Sequence, residues 1–74
     1  MRNHASISGK PGDWVSLIPW GVDVKGITTE GLRYALHDET LHPHKSRGIS
    51  NEMTEEKATV KINQGYLVVI HTRR

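Results

Sequence analysis

The chain has no cysteine and no phenylalanine among its 74 residues, and only two tryptophans and two tyrosines. The missing cysteine excludes disulfides and the cysteine-based zinc sites. It also removes cysteine nucleophiles, and it fits a reducing compartment. No apolar run approaches the ~20 residues that span a bilayer. The opening stretch, 1–12, lacks the apolar segment of a secretory signal, so a soluble, cytoplasmic protein is expected with no membrane partner. Net charge is small: ten basic and eight acidic residues leave +2 with neutral histidines. A chain this short buries only about 60% of its unfolded surface. Self-association is therefore the expected source of extra stability.

What is present reads mainly as strand. Residues 1–12 are rich in Ser, Gly, Asn and Pro and read as a flexible N-terminal arm, with a single β domain over 13–74. Trp14 to Ile18 is a β-branched and aromatic strand, turned by Pro19-Trp20-Gly21. Val22 and Val24 alternate with Asp23 and Lys25, which predicts a second strand forming a hairpin with the first. Leu32 to Leu36 has strand character; a helix over 29–41 is the competing reading, because Leu32 and Leu36 stand four residues apart. His42 to Gly48 is a loop. Ala58, Val60 and Ile62 alternate with Thr59, Lys61 and Asn63. After a turn at Gln64-Gly65, the unbroken apolar run Tyr66 to Ile70 predicts a strand covered on both faces, one of them by a neighbouring subunit.

Three segments carry a resemblance: Gly21-Val22-Asp23-Val24-Lys25-Gly26-Ile27-Thr28, His37-Asp38-Glu39-Thr40-Leu41, and Thr54 to Ile62. In this order they resemble the trp RNA-binding attenuation protein (TRAP) family, over roughly residues 13 to 72. The resemblance implies an all-β fold, a small antiparallel β-sandwich subunit of a closed ring-shaped homo-oligomer of about eleven copies. It implies L-tryptophan or a related amino acid as an effector ligand held between subunits, and single-stranded RNA as a partner in transcription attenuation or translation control. Thr28, His37, Glu52 and Thr54 fall on the ligand loops, where hydroxyls would serve a zwitterion. Glu52 stands where the family has glutamine, and Lys57 where it has threonine. On the RNA surface, Thr40, Lys61 and Asn63 match the base-reading positions, and only Lys61 keeps the family's residue. Lys45 and Arg47, with His42 and His44, form a basic loop that can supply phosphate contacts. The alternatives are a TRAP-like ring acting as a protein-interaction module without RNA, and a small monomeric α+β domain.

His37, His42 and His44 lie within eight residues, beside Asp38 and Glu39. They bring no partner from a second segment, so no metal and no further cofactor is expected. No Gly-x-Ser-x-Gly turn or Gly-rich phosphate loop is present, and Asp38 and Glu39, as neighbours on a strand, would point apart. The chain is not expected to be an enzyme.

Overall fold

The computed structural model describes residues 4–43 and 50–73. It is all-β. Seven strands, β1 (His4–Ser8), β2 (Trp14–Pro19), β3 (Val24–Glu30), β4 (Glu39–Leu41), β5 (Asn51–Glu52), β6 (Lys57–Lys61) and β7 (Leu67–Thr72), make up the described secondary structure. They form two antiparallel sheets, a four-stranded one ordered β1-β6-β3-β4 and a three-stranded one ordered β5-β2-β7. The candidate helix over 29–41 does not form among the described residues. Glycine at 31 and left-handed Asp38, at φ 51°, break any helical run there.

Alternation explains the core. On β2, Val15 and Leu17 point inward while Trp14, Ser16 and Ile18 point outward. On β6, Ala58 and Val60 are buried at 0% exposure, as the period-2 pattern of the sequence predicts. The core contains no aromatic residue. It consists of aliphatic side chains and Met53, and all four aromatic residues lie on the surface.

Several expectations are corrected. The stretch expected as a flexible arm contributes β1, which pairs with β6 from His4↔Lys61 to Ser8↔Lys57 and buries Ile7. One inward isoleucine and five backbone pairings suffice for a strand that its composition hides. The expected hairpin of 14–18 with 22–26 does not form. β2 pairs with β7 while β3 pairs with β6 in the other sheet, so Trp20 to Asp23 crosses between sheets. Val22 is exposed and precedes the strand. β3 also breaks alternation: Val24 and Ile27 both point inward, three residues apart, and its register with β4 shifts between them. A bulge with left-handed Gly26 absorbs the extra residue. Within this chain β7 packs one face on the core. Leu67 is buried and Val69 packs on the core, but Ile70 and Tyr66 are exposed. β7 is an edge strand whose outer face this chain leaves open.

Candidate functional site

The most constrained surface of the molecule gathers around β5. Only two residues long, β5 pairs with β2 through Trp14↔Glu52 and Val15↔Asn51. Its other side receives the loop after β3. Gly31 O accepts from Thr54 N at 2.9 Å, Leu32 pairs with Met53, and Arg33 N donates to Glu52 O at 2.8 Å. Gly31 sits at φ +81°, and a Cβ there would run into the carbonyl of Lys57. Only glycine lets the loop descend this close.

Asn51 fastens the next step. Its side chain is buried, with Oδ1 accepting from Tyr34 N at 3.0 Å and Nδ2 donating to Tyr34 O at 2.8 Å. Oδ1 also accepts from Glu52 N at 2.9 Å. One amide thus replaces the ladder partners that Tyr34 lacks. Two threonines close the loop at its far end. Thr29 Oγ1 accepts from Leu36 N at 2.9 Å, and Thr28 Oγ1 from Asp38 N at 3.1 Å.

On the outer face beside β5, Trp14, Ser16, Ser50 and Thr72 line a shallow cleft of about 230 Å³. Ser50 lies at φ 58°, held there as its N–H donates to Ser16 Oγ at 3.0 Å. A left-handed serine fixed at a cleft wall is the kind of local strain that collects at binding sites. Trp14 and Glu52 stand opposite one another across the β2–β5 pair and so share this face. Arg33 approaches Glu52 at 3.6 Å and lies 5.6 Å above the Tyr34 ring. The face therefore offers an indole, a carboxylate and three hydroxyls side by side. That set suits a flat, cationic, hydrogen-bonding heterocycle, through ring contact, charge and hydroxyl donors or acceptors.

Over residues 4–67 the chain matches the family described as the vitamin B1 binding domain of thiamin pyrophosphokinase. The chain belongs to this family. Its structure resembles the crystal structure of thiamine pyrophosphokinase from Bacillus subtilis, at a TM-score of 0.88 and 23% identity over 99% of this chain. It also resembles the enzyme from Geobacillus thermodenitrificans, at a TM-score of 0.77 and 25% identity over 100% of this chain. It spans only about a third of either solved chain, 35% in both cases. No curated protein matches.

Membership of the vitamin B1-binding family overturns the resemblance to the TRAP family. Tryptophan as ligand, RNA attenuation as function and the RNA-free TRAP-like ring fall with it. The ring of about eleven subunits was an implication of that resemblance and loses its support. The expectation that the chain is not an enzyme is overturned too, because the family is by description a domain of thiamin pyrophosphokinase. The misleading signal was physical. Threonines ending strands, and a Val-x-Val pair before a glycine, are common to many small β domains.

The residues singled out from sequence are spread over several elements. Thr28 and His37 flank the outer closure of the 31–38 loop, whereas Glu52 and Thr54 lie on its inner ladder with 31–33. Only Glu52 shares a face with Trp14. Thr40 lies in β4, Lys61 in β6 opposite both His4 and Thr28, and Asn63 beside Lys25, whose carbonyl accepts Asn63 N at 3.0 Å. His42 Nδ1 meets Asp23 Oδ1 at 2.9 Å. Lys45 and Arg47, with His44, lie outside the described residues. Among the described residues no group of three or more His, Cys, Asp or Glu could hold a metal ion. Among the described residues there is no helix long and apolar enough to cross a membrane.

The residues that sequence reasoning missed are Ser16, Ser50, Asn51 and Thr72, with Trp14 counted only as strand. A signal for them existed. In Trp14-Val15-Ser16-Leu17 one face is apolar and the other pairs an aromatic with a hydroxyl, which a purely structural strand does not require.

Proposed function

We propose that this chain is the thiamin-binding domain of a thiamin pyrophosphokinase and that the cleft beside β5 contributes to the thiamin site. The family match over 4–67 carries the reading, and the chemistry of the face supports it. Thiamin joins a permanently positive thiazolium ring to an aminopyrimidine and ends in a hydroxyethyl group, where the pyrophosphoryl group is attached. Trp14 offers a ring face to the cation, Glu52 its counter-charge, and Ser16, Ser50 and Thr72 supply hydroxyls. The Arg33–Glu52 contact is long, at 3.6 Å, and its arginine end is exposed, so Arg33 can give way to a cationic ligand.

The cleft is shallow and one-sided. Its second wall, and the groups that handle the nucleotide, belong in this reading to the remainder of the enzyme. A cytoplasmic setting fits the reading.

The test is a tryptophan-fluorescence titration of the 74-residue chain with thiamin. Saturable quenching that disappears in Trp14→Phe, and that L-tryptophan does not produce, supports the proposal. An unchanged emission up to millimolar thiamin contradicts it.

A further inference from the structure

The outer face of the three-stranded sheet continues past β5 into the loop after β3. Leu32 pairs with Met53 and both are buried, so the next pair along, Arg33 and Glu52, turns outward. Arg33 N donates to Glu52 O and fixes that register through the backbone, independently of the arginine side chain. Trp14 stands opposite Glu52 on β2, and Thr72 stands opposite Trp14 on β7. Arg33, Glu52, Trp14 and Thr72 therefore form one cross-strand row, with the carboxylate between the guanidinium and the indole.

The guanidinium is a planar, delocalised cation, and both of its neighbours suit one. Nη1 lies 3.6 Å from Glu52 Oε1, and the guanidinium carbon stands 5.6 Å over the Tyr34 ring. Asn51 fixes Tyr34 by bonding both its backbone N–H and its carbonyl. A carboxylate and an aromatic face are the same two partners that a flat cationic heterocycle uses. Arg33 thus supplies, from within the chain, the charge that such a ligand would bring. Its side chain is 61% exposed against 26% for Glu52, so the arginine can swing into solvent while the carboxylate stays on the face.

We propose that Arg33 is a tethered competitor for the Glu52 carboxylate and so sets the affinity of this face for positively charged ligands. A ligand cation binds by displacing the guanidinium. A cation that cannot also use the neighbouring ring and hydroxyls gains too little to do so. The inference rests on the reading of the Trp14 face as a thiamin site, and adds the residue that tunes it.

Thiamin titrations of the 74-residue chain, followed by tryptophan emission at fixed ionic strength, test it. Arg33→Gln should tighten thiamin binding about twofold to fivefold, the range of a partly exposed ion pair. Arg33→Lys keeps the charge but loses the planar contact with Tyr34, so its affinity should fall between glutamine and wild type. Glu52→Gln should weaken binding, and in that background most of the gain from Arg33→Gln should vanish. The arginine side chain is exposed, so neither Arg33 substitution should alter the near-ultraviolet circular dichroism. Binding by Arg33→Gln where wild type shows none would also support the proposal. Unchanged or weaker affinity in Arg33→Gln, beside a wild type that binds, overturns the proposal and leaves the thiamin reading standing. An equal gain in the Glu52→Gln background overturns it as well, because such a gain marks general charge repulsion. No binding by wild type or by Arg33→Gln up to millimolar thiamin overturns both.

Discussion

Replacing Asn51 by alanine should destabilise the domain out of proportion to the atoms removed. The side chain is buried and makes three hydrogen bonds, two to the backbone of Tyr34 and one to Glu52 N. Each is worth about 0.5–1.5 kcal/mol, and stranded backbone groups add a desolvation cost. The expected loss is about 2–4 kcal/mol. In a domain of this size each kcal/mol lowers Tm by about 4–8 °C, so the transition should fall by about 10–30 °C. Asn51→Asp separates the two roles of the amide. It keeps the acceptor for Tyr34 N and Glu52 N but sets a carboxylate oxygen against the Tyr34 carbonyl. Its loss should therefore come close to that of alanine. Urea unfolding followed by tryptophan emission measures both. A loss under about 0.5 kcal/mol in both variants would refute the claim that this amide holds the 31–38 loop on β5.

Thr29→Val should cost about 1–3 kcal/mol, because Leu36 N loses its buried acceptor without any change of volume; thermal unfolding checks this. Gly31→Ala should lower Tm more than alanine at exposed, extended sites, since left-handed backbone and the Lys57 carbonyl both oppose a Cβ. Leu17→Ala, at a 1%-exposed core position, should cost about 2–5 kcal/mol in urea unfolding.

The sequence made the sheet character legible but not its connectivity. The Ala58-Val60-Ile62 alternation gave β6 directly, because a central strand with one inward face writes its burial into every second residue. β1 stayed hidden, because it buries one large side chain and is held largely by backbone pairing, which composition does not record. The pairing of β2 was misjudged because a local turn at Pro19 to Gly21 is compatible with either a hairpin or a crossing between sheets. Only the long-range match of β2 with β7 decides, and it joins residues about fifty positions apart.

The site was less legible than the fold. Its anchor, Asn51, acts on Tyr34 seventeen residues earlier, in a stretch with no periodic pattern. Thr28 drew notice for its hydroxyl, but that hydroxyl already accepts Asp38 N and closes a loop. Glu52 was singled out for its place in a resemblance, whereas the fold sets it across from Trp14.

The most direct test of the account is to map amide shifts by NMR as thiamin is added to the 74-residue chain. The account predicts saturable shifts centred on Trp14, Ser16, Ser50, Glu52 and Thr72, with an affinity of about 0.1–1 mM for the isolated domain, equivalent to about 4–5.5 kcal/mol. Shifts centred instead on Thr28, His37 and Thr54, or none at millimolar thiamin, would contradict it.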